Sequence, residues 1–340
     1  MTPVAAPDGP RLPSFALVAA YVVVAAVFAS AMPLLAYAGS LALFGAAHVL
    51  TELRYVDGRF GDRLRSGGGI LILALLALAV GLRALSVAGA IDARGEYLAE
   101  LGVVATMVFV VVPELGRHPG RAAFAFLAGA TIATGSAVAP WTTVVILSIL
   151  HNATPVGFLA ERFAGTPRRR PVLLACAVAF LAVPIAIASG LGSRGLSAVG
   201  LFAPDLAFAS AGTLASQLRV FVPAAWLDDA LAPSIFAASA YLQLLHYGVV
   251  IGVLPRLLTP RGSDGDRPIA PWPGARRLAV AIAGVSVVAA FAFVRDFGAT
   301  RTSYGILASA HAWIELPLLL WAMAPRPRAG RGADARAVPA

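Results

Sequence analysis

The chain has 340 residues, 59% of them hydrophobic and only 13% charged, with a formal net charge of +9. Several apolar runs approach the roughly 20 residues a helix needs to cross a hydrocarbon core. They lack the apolar–polar alternation of a β-barrel. These features exclude an ordinary water-soluble domain and predict an all-α, polytopic membrane bundle. Every basic residue is arginine. The excess charge lies in loops and tails, which speaks for membrane orientation and against nucleic-acid binding. Cys176 is the only cysteine and sits in an apolar run, so no intrachain disulfide can form.

Ten spans are expected in chain order. The first run, 14–37, follows Arg11 and contains Ala29-Ser30-Ala31, which has the small-x-small form of a signal-peptide cleavage site. It continues to Tyr37, long enough to span, and reads as a retained first helix. Further spans follow at 38–56, 68–91, 97–115, 121–139, 140–161, 171–190, 232–254, 277–295 and 303–324. The 38–40 region and Pro140 each separate two closely spaced helices. Residues 191–231 are apolar but interrupted by Pro204, Asp205, Arg219, Pro223, Asp228 and Asp229. They predict interfacial or re-entrant structure on the outer face, tolerated at membrane depth only where buried in protein or lining a cavity. Residues 258–276 read as a solvated linker. One transmembrane domain, 14–325, is thus flanked by a tail at 1–13 and a disordered tail at 326–340.

The arginines orient this arrangement. Twenty lie in one set of loops and the two tails, from Arg11 and Arg54 through Arg168, Arg169 and Arg170 to Arg336. Six lie on the other side: Arg83, Arg94, Arg194, Arg219, Arg295 and Arg301. The positive-inside rule makes the first set cytoplasmic. A multi-pass protein of a bacterial-type inner membrane, with both termini in the cytoplasm, is the expectation.

Four histidines fall inside these spans. His48 lies in the second, His151 in the sixth, His246 in the eighth and His311 in the tenth. All four spans run in the same direction. The histidines lie about 14–20 Å from the outer ends at 1.5 Å per residue, near the midplane. Ionisable groups at that depth are costly and usually face the bundle interior. Glu52 and Glu315 follow His48 and His311 by four residues, which places each pair on one helix face. Imidazole with carboxylate is transition-metal chemistry. The predicted ligands are therefore His48, His151, His246, His311, Glu52 and Glu315, with the two glutamates completing the ligand set or relaying protons. Asn152, Gln243 and Tyr247 are expected to orient the ligands. Pro155 should free the carbonyl of His151 and kink its helix. Glu100 and Glu114 read as interfacial, Glu114 beside Arg117, and His118 as solvated. There is no phosphate-loop lysine, so a nucleotide site is not supported.

Four histidines and two carboxylates exceed the four ligands of a structural zinc site. The set favours non-haem iron and O₂ chemistry on a lipid, isoprenoid or carotenoid. With its isolated midmembrane histidines on separate helices (His48, His151, His246 and His311), the chain resembles the bacterial Brp/Blh-type membrane carotene dioxygenases. That resemblance is architectural. It implies iron held by these histidines and oxidative cleavage of an isoprenoid. Copper or zinc at the site, a haem held by two of the histidines for electron transfer, and metal-ion or proton transport stay open as alternatives. The partners expected are membrane lipid, a lipid-soluble small molecule and an electron donor, with no nucleic acid. Reporter fusions after residue 323 should give a cytoplasmic signal; an external signal would overturn the arginine-based orientation.

Overall fold

Prolines and short polar breaks divide the chain into helices, and their positions decide which residues face inward. The computed structural model describes residues 13–116, 118–258 and 267–323. Residues 1–12 and 326–340 of the expected tails, residues 259–266 of the expected linker, and Arg117 lie outside the described residues.

The helices are α1 (Phe15–Ala31), α2 (Pro33–Leu64), α3 (Gly67–Val87), α4 (Ala93–Val111), α5 (Pro119–Val138), α6 (Pro140–His151), α7 (Thr154–Arg162), α8 (Arg169–Ala177), α9 (Val183–Ala188), α10 (Leu191–Ala198), α11 (Leu214–Gln217), α12 (Ala232–Gly252), α13 (Leu254–Leu257), α14 (Ala275–Arg295) and α15 (Phe297–Ala322). No strand occurs among the described residues. Among the described residues, eight helices or continuous helical runs are long and apolar enough to cross a membrane, and the α6–α7 pair, bent by 40°, makes nine if counted as one span. The protein is a multi-pass helical membrane bundle. α1 has 17 residues, about 26 Å of helix, which is short of a typical ~30 Å hydrocarbon core.

The first expected boundary moves. Helix α2 begins at Pro33, not near residue 38, and runs 32 residues to Leu64. Pro33 lacks an N–H and suits a first helical turn, where that donor has no partner anyway. Gly39 and Ser40 continue the helix, and Ser40 donates to the Tyr37 carbonyl at 3.1 Å. Between residues 191 and 231 there are only short helices and turns, none long enough to span, as expected. Ala211, Leu214, Phe221 and Val222 of this segment are buried against the bundle.

Helices α2 and α12 form the inside. In each, 72% of the most apolar window is buried, against 11% for α3 and α14, which face outward. A π-turn over Val178–Ala182 carries the chain from α8 into α9 ahead of Pro184. The Tyr241 hydroxyl of α12 donates to the Ala179 carbonyl at 2.8 Å. That carbonyl lies five residues before Pro184, which has no N–H to give it.

The buried apolar residues form two clusters. One holds Leu41, Phe236, Tyr241 and Phe297; the other holds Tyr55, Phe60, Val250 and Trp321. On α2, α12 and α15 the change from one to the other falls at His48, His246 and His311. A polar layer therefore crosses the middle of an otherwise apolar bundle.

Past the arginine-rich end of α2, a strap at 267–272 docks on the helix. Asp57 accepts from the backbone N–H groups of Ile269 at 2.6 Å and Ala270 at 2.9 Å, and from the Trp272 indole at 2.7 Å. A Cβ at Gly61 would sit 2.1 Å from the Arg267 carbonyl oxygen. Gly61→Ala should therefore destabilise by roughly 1–3 kcal/mol, the usual cost of overpacking. The readout is the thermal unfolding midpoint in detergent; an unchanged midpoint would refute this docking.

Candidate metal centre

Each ligand candidate reaches the centre for a local reason. His48 and Glu52 lie one turn apart on α2, as do His311 and Glu315 on α15, so both pairs share a face. His246 faces inward from α12, the other interior helix. His151 is the last residue of α6. Pro155 cannot donate to its carbonyl, and the helix breaks there. Thr154 fills the gap, its hydroxyl lying 2.7 Å from the His151 carbonyl and 2.7 Å from Glu315 Oε2. The 40° bend is thus built around the site.

The four imidazoles converge. One nitrogen from each of His48, His151, His246 and His311 lies within 4.8 Å of all the others. Glu52, His246 and Glu315 form a second set with the same limit, sharing His246. His48 Nε2 and His311 Nε2 are 3.0 Å apart. His151 Nδ1 is 2.6 Å from Glu315 Oε2, and His246 Nε2 is 3.4 Å from Glu52 Oε2. Tyr247 stacks on the His48 ring at 4.1 Å between centroids.

This geometry suits a cation. His48 Nδ1 lies 3.3 Å from the Phe44 carbonyl, a partner for its N–H. That leaves the Nε2 lone pair directed at His311. Two nitrogen ligands at the usual ~2.0–2.1 Å from a metal, about 90° apart, would be about 3 Å from each other. Both oxygens of Glu52, both nitrogens of His246, His311 Nδ1 and Glu315 Oε1 are buried without a hydrogen-bond partner. Glu52 and His246, 3.4 Å apart, are within ion-pair range but make no hydrogen bond. Two buried carboxylates this close need a shared proton or a cation between them. Four histidines and two carboxylates can therefore hold a transition-metal ion, each histidine through one ring nitrogen and each glutamate through a carboxylate oxygen.

A cavity of about 270 Å³ opens on one side of the cluster, near the small end of ligand pockets. His48, His151 and His311 border it, whereas Glu52, His246 and Glu315 lie behind them. Asn152 and Gln243 also line it. Asn152 donates to the Ser148 carbonyl at 3.2 Å. Gln243 donates to Ser40 Oγ at 2.8 Å and to the Tyr37 carbonyl at 3.2 Å. Neither amide hydrogen-bonds to a histidine; of the three residues expected to orient the ligands, Tyr247 touches one, and Thr154, not expected, contacts Glu315.

Other groups were not anticipated. Glu100 is not interfacial but fully buried, where it accepts from the Trp313 indole at 2.7 Å and pairs with Arg83. Arg83 also holds Glu96 at 2.7 Å and borders the cavity. The i,i+4 spacing of Glu96 and Glu100 on α4 was the available signal. Tyr304, seven residues before His311 on α15, donates to the Gly45 carbonyl at 3.2 Å. Glu114 is exposed, and neither it nor His118 joins the cluster. Comparison with protein-family models, curated proteins and solved structures returns no match to this chain, so the site stands on its own geometry.

His246→Ala and His311→Ala should purify without bound metal. Thr154→Val should weaken metal binding about 10- to 100-fold, the usual effect of losing a group that orients a ligand. Gln243→Ala should leave affinity unchanged. Elemental analysis and metal titration of the purified variants provide the check; full metal content in the histidine variants would reduce the cluster to packing.

Proposed function

We propose that the protein is a membrane-embedded, non-haem metal oxidoreductase, with iron as the metal, O₂ as the oxidant and a lipid or isoprenoid as the substrate. The observation that carries this reading is a mixed histidine–carboxylate set with one face on a cavity and the other sealed in the core. Structural sites are closed, whereas catalytic ones keep an open position. Histidine and carboxylate ligation with open positions suits non-haem iron.

His48, His151 and His311 would present the metal to the cavity, and His246, Glu52 and Glu315 would hold it from behind. A bound metal would supply a redox-active Lewis acid. Glu315, held by Thr154 and His151, would either complete the ligand set or carry a proton beside it. Insertion of both oxygen atoms, as in the cleavage suggested by the Brp/Blh resemblance, needs no outside reductant. Insertion of one needs two electrons from a donor partner. The contacting imidazole pairs have centroid separations of 4.7–5.4 Å, too close to admit a porphyrin between them, which favours a bare ion over haem. The arginine distribution supports an inner-membrane protein with its termini in the cytoplasm.

Protein purified in detergent should retain iron and consume O₂ only when a lipid or isoprenoid substrate is supplied. His311→Ala should lose both properties. Preferential retention of zinc, with no oxygen uptake in the iron-loaded protein, would refute the redox reading.

A further inference from the structure

The far end of the cavity carries an arginine whose charge is not met by an acid among the described residues. Arg301 is half-buried near the start of α15 and lines the cavity with the histidines. Its Nη1 donates to Gln217 Oε1 at 2.7 Å and lies 3.5 Å from the Tyr37 hydroxyl, and its guanidinium sits 5.8 Å from the centre of the Phe297 ring. All three neighbours are neutral. Arg301 forms no salt bridge among the described residues. Arg83, the other arginine on the cavity, is bound by Glu96 and Glu100. An arginine near a helix end can keep its head in the interface; here the half-buried guanidinium also borders the cavity, where a ligand's negative charge can meet it.

We propose that the cavity binds a single-chain lipid carboxylate, with its head on Arg301 and its tail directed at the histidine cluster. Arg301 and His311 are ten residues apart on one helix, about 15 Å of rise. Between the two ends the walls are mainly apolar, with Leu41, Val144, Leu147, Ala308 and Ala312, and carry Gln243, Tyr304 and Ser309 as polar groups. A guanidinium matches a carboxylate in a two-point contact. One unmatched positive charge suits a monoanion better than a phosphate dianion. The Tyr37 hydroxyl adds a donor beside the head. The inference rests on the proposed function in taking the histidine end as the reacting end. It narrows the substrate from lipids in general to those with a carboxylate, and Arg301 becomes a specificity-determining residue remote from the metal.

The test is retention of radiolabelled dodecanoate by the full-length protein in nanodiscs, against empty nanodiscs, with methyl dodecanoate and dodecyl phosphate as comparison ligands. The wild type should retain the acid over both. Arg301→Gln should weaken dodecanoate binding on the order of 10- to 100-fold, the loss of a charge-assisted hydrogen bond. Arg301→Lys should fall between, and both variants should keep wild-type metal content. Equal retention of acid and ester by the wild type would overturn the proposal without any variant. So would tighter binding of the phosphate, or unchanged affinity in Arg301→Gln. The metal reading fails separately: if metal does not bind, yet dodecanoate retention still depends on Arg301, the carboxylate site stands and the redox function falls.

Discussion

The polar layer across the middle of the bundle is the constraint that the rest of the structure serves. Six ionisable side chains meet there, and Glu52, Glu315 and His246 have no exposed surface. An unpaired polar group in an apolar interior costs on the order of 1–3 kcal/mol, and a charge costs more. Such a layer persists only if something offsets that cost. Hydrogen bonds offset part of it: Thr154 and His151 on Glu315, and the Phe44 carbonyl on His48. The orphaned atoms of Glu52 and His246 are the remainder, and a cation can meet the Glu52 oxygens and one His246 nitrogen together.

The surrounding helices can be understood from that layer. α2 and α12 are the most buried helices because each carries a ligand candidate into the centre. The break between α6 and α7 follows from Pro155, and it brings His151 and Thr154 onto one carboxylate. The outward helices α3 and α14 present apolar faces to lipid, where a buried polar group would have no partner. Asymmetry across the layer sets its chemistry. The cavity meets the histidines from one side only, and the carboxylates are walled off on the other. A ligand entering the cavity would therefore meet the imidazoles of His48, His151 and His311 before either carboxylate.

Much of this was legible because hydrophobicity and helical spacing are local properties. The span pattern, the shared faces of His48 with Glu52 and of His311 with Glu315, and the kink at Pro155 all follow from neighbours within a few residues. The boundary at Met32 was missed because Gly39 and Ser40 suggest a break, yet Pro33 is where a helix can start without losing a hydrogen bond. Glu100 was misread for a different reason. Its place near a span end suggested the interface, and only the packing of α3 against α4 brings Arg83 to it. Gln243 was assigned to a histidine from spacing along α12, but the neighbouring helix offered Ser40 and the Tyr37 carbonyl first.

By itself the sequence determined that this is an all-α membrane protein with four histidines inside its apolar helices. Length, composition and the 1.5 Å rise of a helix suffice for that. Whether those histidines meet was decided by tertiary structure alone, since depth leaves the rotation and neighbours of each helix open. Packing also chose Thr154 and Tyr247 as the groups that touch the ligands, enclosed Glu100 with Arg83, and left Arg301 facing the cavity among neutral groups. Contacts between residues more than 200 positions apart, such as His48 with His311, have no local signal, because nothing in either segment states which helix face will be opposite.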